Sequence, residues 1–155
     1  MTFRRNLRGA DDIGLALTEL TDKISTRLRR HEKWARGVKV EITTPEFKRF
    51  SRQKRLPNPI NSPAAFRKTA FDLIKELNHV NRPIRLLTVT AIDLTDSPDG
   101  GQLTIFSMGA STDEKSTNEK DENIAKAMDE IRNKFGKSSI KFAHVIGNDI
   151  GIDEE

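Results

Sequence analysis

The chain has 155 residues, no cysteine, 35% hydrophobic and 32% charged residues, and 27 Lys+Arg against 23 Asp+Glu. That length suits one domain plus extensions, and the missing cysteines exclude a disulfide scaffold and any thiolate metal site. Mean hydropathy is −0.61, and no run approaches the ~20 apolar residues of a spanning helix. The net charge of +4 hides an asymmetry: residues 1–94 hold 20 Lys+Arg and 10 Asp+Glu, while residues 95–155 hold 7 and 13. A Lys/Arg excess of this kind is the footprint of phosphate binding, followed here by an acidic tail.

In chain order, residues 2–7 read as a short strand with Phe3 inward. Asp11 and Asp12 then supply an N-cap and first-turn charge for a helix. A metal-binding pair is the weaker reading of two carboxylates that open a helix. Ile13, Leu17, Leu20, Ile24 and Leu28 recur along one helical face. Trp34 reads as a core plug at the helix end. Residues 36–44 alternate, with Val38, Val40 and Ile42 on one side and Lys39, Glu41 and Thr43 on the other, as in a half-buried strand. Thr44-Pro45-Glu46 is a turn. Residues 47–56 return as a second strand, which Pro57, Pro59 and Pro63 are expected to stop.

Ser62-Pro63 is an N-cap and first-turn pair for a second helix, with Phe66, Ala70, Leu73, Ile74 and Leu77 on its core face. Residues 84–94 are β-rich, with Leu87, Val89 and Ala91 alternating. The resulting order, β-α-β-β-α-β, predicts an α+β fold: a four-stranded, mainly antiparallel sheet with both helices on one face. The other face would carry Thr2, Arg4, Lys39, Thr43, Ser51, Thr88 and Thr90, with Arg52 or its neighbours according to register.

Three regions are expected: a basic α+β domain over 1–94, a linker over 95–120, and a C-terminal helical tail over 121–155. The linker assignment rests on its Asp, Ser, Gly, Thr and Lys content. The tail reads as a helix over 121–135 with Ile124, Met128, Ile131 and Phe135 as its apolar stripe, a short strand over 141–146, and a frayed acidic end from Asn148.

No phosphate loop, zinc-type His/Glu pair or nucleophile elbow occurs. His31 sits among cations and reads as a surface residue. The informative segment is the second hairpin strand, where Lys48, Arg49, Arg52, Lys54 and Arg55 lie within eight residues. A charged edge strand accounts for one or two cations. Five suit phosphate contacts, which position a protein on nucleic acid without reading sequence, although alternation forbids all five from sharing a face.

Three segments carry a resemblance: Ala35-Arg36-Gly37-Val38-Lys39-Val40, Phe50-Ser51-Arg52-Gln53-Lys54-Arg55-Leu56-Pro57 and Pro83-Ile84-Arg85-Leu86-Leu87-Thr88-Val89. In order and spacing they resemble the little finger domain of Y-family translesion DNA polymerases, nearest the bacterial DNA polymerase IV branch, over about residues 1–94. The resemblance implies a sheet that grips the backbone of primer–template DNA across the major groove. It implies DNA contacts at Ser51, Arg52, Lys54 and Arg55, with Arg36 and Thr88 as weaker carry-overs. Gln102-Leu103-Thr104-Ile105-Phe106 looks like the bacterial sliding-clamp motif. Gln102 would add hydrogen bonds while Leu103, Ile105 and Phe106 enter an apolar groove; a buried fifth strand is the competing reading.

The palm, fingers and thumb of that family do not appear in this sequence. The chain is therefore expected to be a C-terminal fragment of a damage-tolerant, DNA-repair polymerase. The parent would be a magnesium-dependent nucleotidyltransferase. The chain itself would bind DNA and the clamp in the cytoplasm, without cofactor, catalysis or membrane contact. A free-standing adaptor bridging DNA and the clamp is the alternative. An RNA-binding module is a third reading, disfavoured because several of the eight Phe fall on predicted apolar faces.

Overall fold

The computed structural model describes residues 1–98 and 112–151. Strand β1 (Thr2–Leu7) leads into helix α1 (Gly9–Arg30). Strands β2 (Trp34–Thr43) and β3 (Arg49–Ile60) form a hairpin. Helix α2 (Pro63–Glu76), strand β4 (Ile84–Thr95) and helix α3 (Thr112–Phe135) follow. A short 3-10 helix spans Ala143–Val145. The four strands form one antiparallel sheet in the order β1-β4-β2-β3. This is the α+β arrangement expected from the order of elements.

Each helix is started by its own residues. Asp12 reaches back so that its Oδ2 accepts a hydrogen bond from the Arg8 amide at 2.8 Å. Asp12 therefore satisfies the opening of α1 from inside the helix, and the cap position itself is Arg8. At α2, the Ser62 hydroxyl accepts from the Ala65 amide at 3.4 Å, and Pro63 takes the first helical position.

The core lies between the sheet and α1/α2. Val38, Val40 and Ile42 of β2 and Leu87 and Val89 of β4 are buried against Ile13, Leu17, Phe66, Ala70, Leu73 and Ile74. Trp34 is only half-buried at the start of β2, opposite Thr95, so it does not plug the core. Pro57 and Pro59 do not end β3, which runs on to Ile60. They fall between the rungs Gly37–Arg55 and Ala35–Ile60, where the register shifts. Proline is tolerated there because β3 is the sheet edge and the irregularity asks no amide of it.

The tail departs furthest from the pattern of its sequence. Helix α3 begins at Thr112, so residues 112–120 are helical rather than linker. Its expected apolar stripe is only partly used: Met128 is half-buried and, with the 58% exposed Ile124, lines a cleft against α1 and α2, whereas Ile131 and Phe135 are 38% and 72% exposed. The docked face carries Ala125, Asp129 and Arg132, spaced four and three apart. Asp129 takes a bidentate hydrogen-bonded pair from Arg29 of α1, with Nε–Oδ2 at 2.6 Å and Nη2–Oδ1 at 3.0 Å. Arg132 pairs with Asp22 of α1 at 2.8 Å and also donates to the Ile140 carbonyl. Planar guanidinium–carboxylate pairs are directional, and these two fix the rotation of the helix.

Beyond α3, residues 141–146 do not form a strand. Phe142 packs on the core and Val145 is buried. A spacing of three places both on one side of a 3-10 turn, which alternation along a strand cannot do. The expected fraying from Asn148 does not hold for the described part either. Ile150 is fully buried, its carbonyl accepts from the Arg4 amide at 3.2 Å, and Asp149 pairs with Arg5 at 2.6 Å.

Candidate nucleic-acid interface

Register decides which side chains of a strand share a face. Across the centre of the sheet the antiparallel rungs are Gln53–Lys39–Thr90, Ser51–Glu41–Thr88 and Arg49–Thr43–Leu86. These alternate with Arg52–Val40–Val89 and Phe50–Ile42–Leu87, whose β2 and β4 members are buried beneath the helices. The first set therefore faces away from α1 and α2. Arg55 continues it through the rung Arg55–Gly37–Ile92, and Thr2 extends it through its pairing with Leu86. Arg4, two residues along β1 from Thr2, stands on the same side.

This open face carries four cations, Arg4, Lys39, Arg49 and Arg55, among the hydroxyls of Thr2, Thr43, Ser51, Thr88 and Thr90. Glu41 is the carboxylate among its central rungs, 3.4 Å from Lys39. Arg55 Nε lies 2.9 Å from Asp93 Oδ2 across β2, yet its side chain is 84% exposed. That crossing passes Gly37. A Cβ there would lie 2.8 Å from Ile92 Cγ1 and 3.0 Å from the Lys54 carbonyl oxygen, so the close packing of β3, β2 and β4 at this rung requires glycine.

The six residues implicated by resemblance divide. Ser51, Arg55 and Thr88 share the open face. Arg52 and Lys54 stand on the helix side of β3, opposite Val40 and Val38, and Arg52 Nε binds Glu76 of α2 at 2.9 Å. Arg36 is exposed beside the register shift. Arg49, which composition singles out with its neighbours but the resemblance does not, and Gln53, which neither marks, also stand on the open face. Composition could not separate them from Arg52 and Lys54; the turn length, which pairs Thr43 with Arg49, is the signal that does. The segment Gln102-Leu103-Thr104-Ile105-Phe106 lies outside the described residues.

Away from this face, Arg5 joins β1, α1 and the tail. Its guanidinium binds Asp12 and Asp149 together. The hydrogen bond from Arg5 holds both carboxyl groups below the usual aspartate range. The same two acids, Asp12 foremost, raise the Arg5 pKa. His31 is exposed at the end of α1, and His79 is buried with its Nδ1 2.5 Å from the Leu77 carbonyl oxygen. Among the described residues no three His, Cys, Asp or Glu gather into a metal-binding group. Among them, too, no helix is long and apolar enough to cross a membrane.

Comparison with known proteins agrees with this architecture. Residues 1–105 match the C-terminal domain of the impB/mucB/samB family. DNA polymerase IV of Staphylococcus saprophyticus is 33% identical over 93 residues, covering 60% of this chain and 26% of that protein. DNA polymerase IV of Clostridium acetobutylicum is 31% identical over 139 residues, covering 90% of this chain and 33% of that protein. The corresponding protein of Clostridium kluyveri is 24% identical over 146 residues, 94% of this chain and 36% of its own length. The chain thus spans about a quarter to a third of the length of these relatives. It belongs to the impB/mucB/samB family, and residues 1–105 are the C-terminal domain of that family, the little finger of Y-family polymerases.

Proposed function

We propose that the open sheet face binds the phosphate backbone of primer–template DNA without reading its sequence, as the DNA-holding domain of a translesion polymerase. One observation carries this: the helices cover one side of the sheet, and the other presents Arg4, Lys39, Arg49 and Arg55 among a field of hydroxyls. Cations and hydroxyls on a pleated surface donate to phosphate oxygens and leave base edges unread. The names of the relatives support the polymerase context. Nucleotidyl transfer and its magnesium would belong to a catalytic region of the parent enzyme, a reading supported by the names of the relatives and by the third or less of their length that this chain spans. The site of action would be the cytoplasm, where bacterial DNA is replicated.

The same reading gives Gln102, Leu103, Ile105 and Phe106 to the bacterial sliding clamp, as a tether that keeps the domain near DNA. What supports it is the motif and its place beyond the last strand of the sheet, at the very end of the family match. The test is titration of the chain with duplex DNA and, separately, with the clamp, each at two ionic strengths. Log affinity for DNA should fall against log salt with a slope of about 0.9 per phosphate contacted. A flat dependence would remove the backbone-binding reading. Replacing Leu103 and Phe106 by Ala should abolish clamp binding and leave DNA affinity intact; loss of both together would make the segment part of the core.

A further inference from the structure

The hairpin between β2 and β3 closes with a residue that folding does not explain. Phe47 donates its amide to the Thr44 carbonyl at 2.9 Å, and the Thr44 amide donates to the Lys48 carbonyl at 2.9 Å. Pro45 and Glu46 form the turn, and Phe47 follows in the left-handed region at φ 62°. In a hairpin loop of this design that last position is the place of glycine. A phenylalanine there is strained, and its ring gains little burial in return, being 69% exposed. Strain held without a packing reward marks a position kept for another purpose.

The surroundings name that purpose. The Arg85 guanidinium carbon lies 4.8 Å from the Phe47 ring centroid, a cation–π contact that holds the ring in place. Lys48 and Arg49 are exposed beside it, against the single turn carboxylate of Glu46. Phe47 stands just past the rung Leu86–Thr43–Arg49, at the hairpin end of the sheet and two residues from Arg49 of the open face. An exposed aromatic ring flanked by cations is the arrangement that stacks unpaired bases while the backbone is held electrostatically.

We infer that Phe47, steadied by Arg85, is a stacking platform for an unpaired base of single-stranded DNA where it leaves the duplex held on the open face. This extends the reading of that face and rests on it for the position of the duplex. The experiment uses the full 155-residue chain, labelled oligothymidylate and a blunt DNA duplex, with binding read by fluorescence anisotropy. Phe47→Gly should weaken oligothymidylate binding about fivefold or more, the range for loss of one stacked base, and leave blunt-duplex affinity unchanged. Glycine accepts the left-handed backbone, so the thermal midpoint should hold or rise. Phe47→Trp should keep the affinity, and the fluorescence added by the new indole should be quenched by oligothymidylate and not by the blunt duplex.

Unchanged oligothymidylate binding by Phe47→Gly, or an equal loss on both DNAs, would overturn the inference. If the parent chain binds oligothymidylate through Phe47 but does not bind the duplex, the platform stands and the sheet-face reading falls.

Discussion

The two sides of β3 hold cations at similar density, yet the sheet puts them to different uses. On the open side, Arg49 and Arg55 join Lys39 and the hydroxyls of β2 and β4 on a surface no helix covers. On the helix side, Arg52 is drawn to Glu76 of α2, and Lys54 stands opposite buried Val38. Side-chain direction, set by one rung of register, separates the proposed binding surface from a structural fringe. The lesson is that five cations within eight residues are not five contacts.

The largest expected effect lies on the covered side. Phe66 is fully buried between α2 and the sheet, so Phe66→Ala should cost about 3–5 kcal/mol of stability through lost contacts and the cavity left behind. Urea denaturation measures it. A loss below about 1 kcal/mol would mean that the covered side is loosely packed and that the two faces differ less than their burial indicates.

The comparison within β3 is sharpened by a matched pair of variants. Arg49→Ala should lower the magnitude of the slope of log affinity against log salt for duplex DNA by about 0.9, the share of one phosphate contact. Arg52→Ala should leave that slope unchanged, since its guanidinium is held by Glu76 away from the open face. Both are exposed, and neither should shift stability beyond about 0.5 kcal/mol. Equal effects on the salt slope would break the distinction between the faces.

The smallest effect concerns the tail, which adds Val145 and Ile150 to the core and is pinned by Asp149 on Arg5. Asp149 has a folded pKa depressed below its ordinary value of 3.8 by the Arg5 hydrogen bond. The stability it contributes is therefore present above that value and is lost as pH falls through the depressed one. Asp149→Asn should speed amide exchange over residues 147–151 at neutral pH, with the difference from the parent closing as pH falls through the depressed Asp149 value. Exposure of the pair keeps the effect small. No difference at neutral pH would assign the pinning to Ile150 alone.

Much of the body was legible because its signals are local. Ser62-Pro63 marks a helix start through its own hydroxyl and ring, and Val38, Val40 and Ile42 mark a buried strand face through alternation alone. The candidate site was legible in composition and not in membership. The strand carrying Arg49, Arg52 and Arg55 could be picked out, but which of them point outward depends on pairing Thr43 with Arg49, a contact between two strands. The prolines misled for a related reason. Whether Pro57 and Pro59 stop a strand depends on whether the partner asks for their amides, and at this irregular edge it does not.

The α+β order, the apolar faces of α1, α2, β2 and β4, and the basic character of residues 1–94 are readable along the chain, because each follows from periodicity or charge. The rotation of α3 and the seating of the tail came from long-range contacts. There, Ala125, Asp129 and Arg132 took the docked face and left Ile131 and Phe135 of the apolar stripe outside because Arg29 and Asp22 of α1 were waiting opposite them. A hydrophobic stripe states a preference for burial, whereas paired charges specify one partner and one angle, and that partner lies a hundred residues away along the chain.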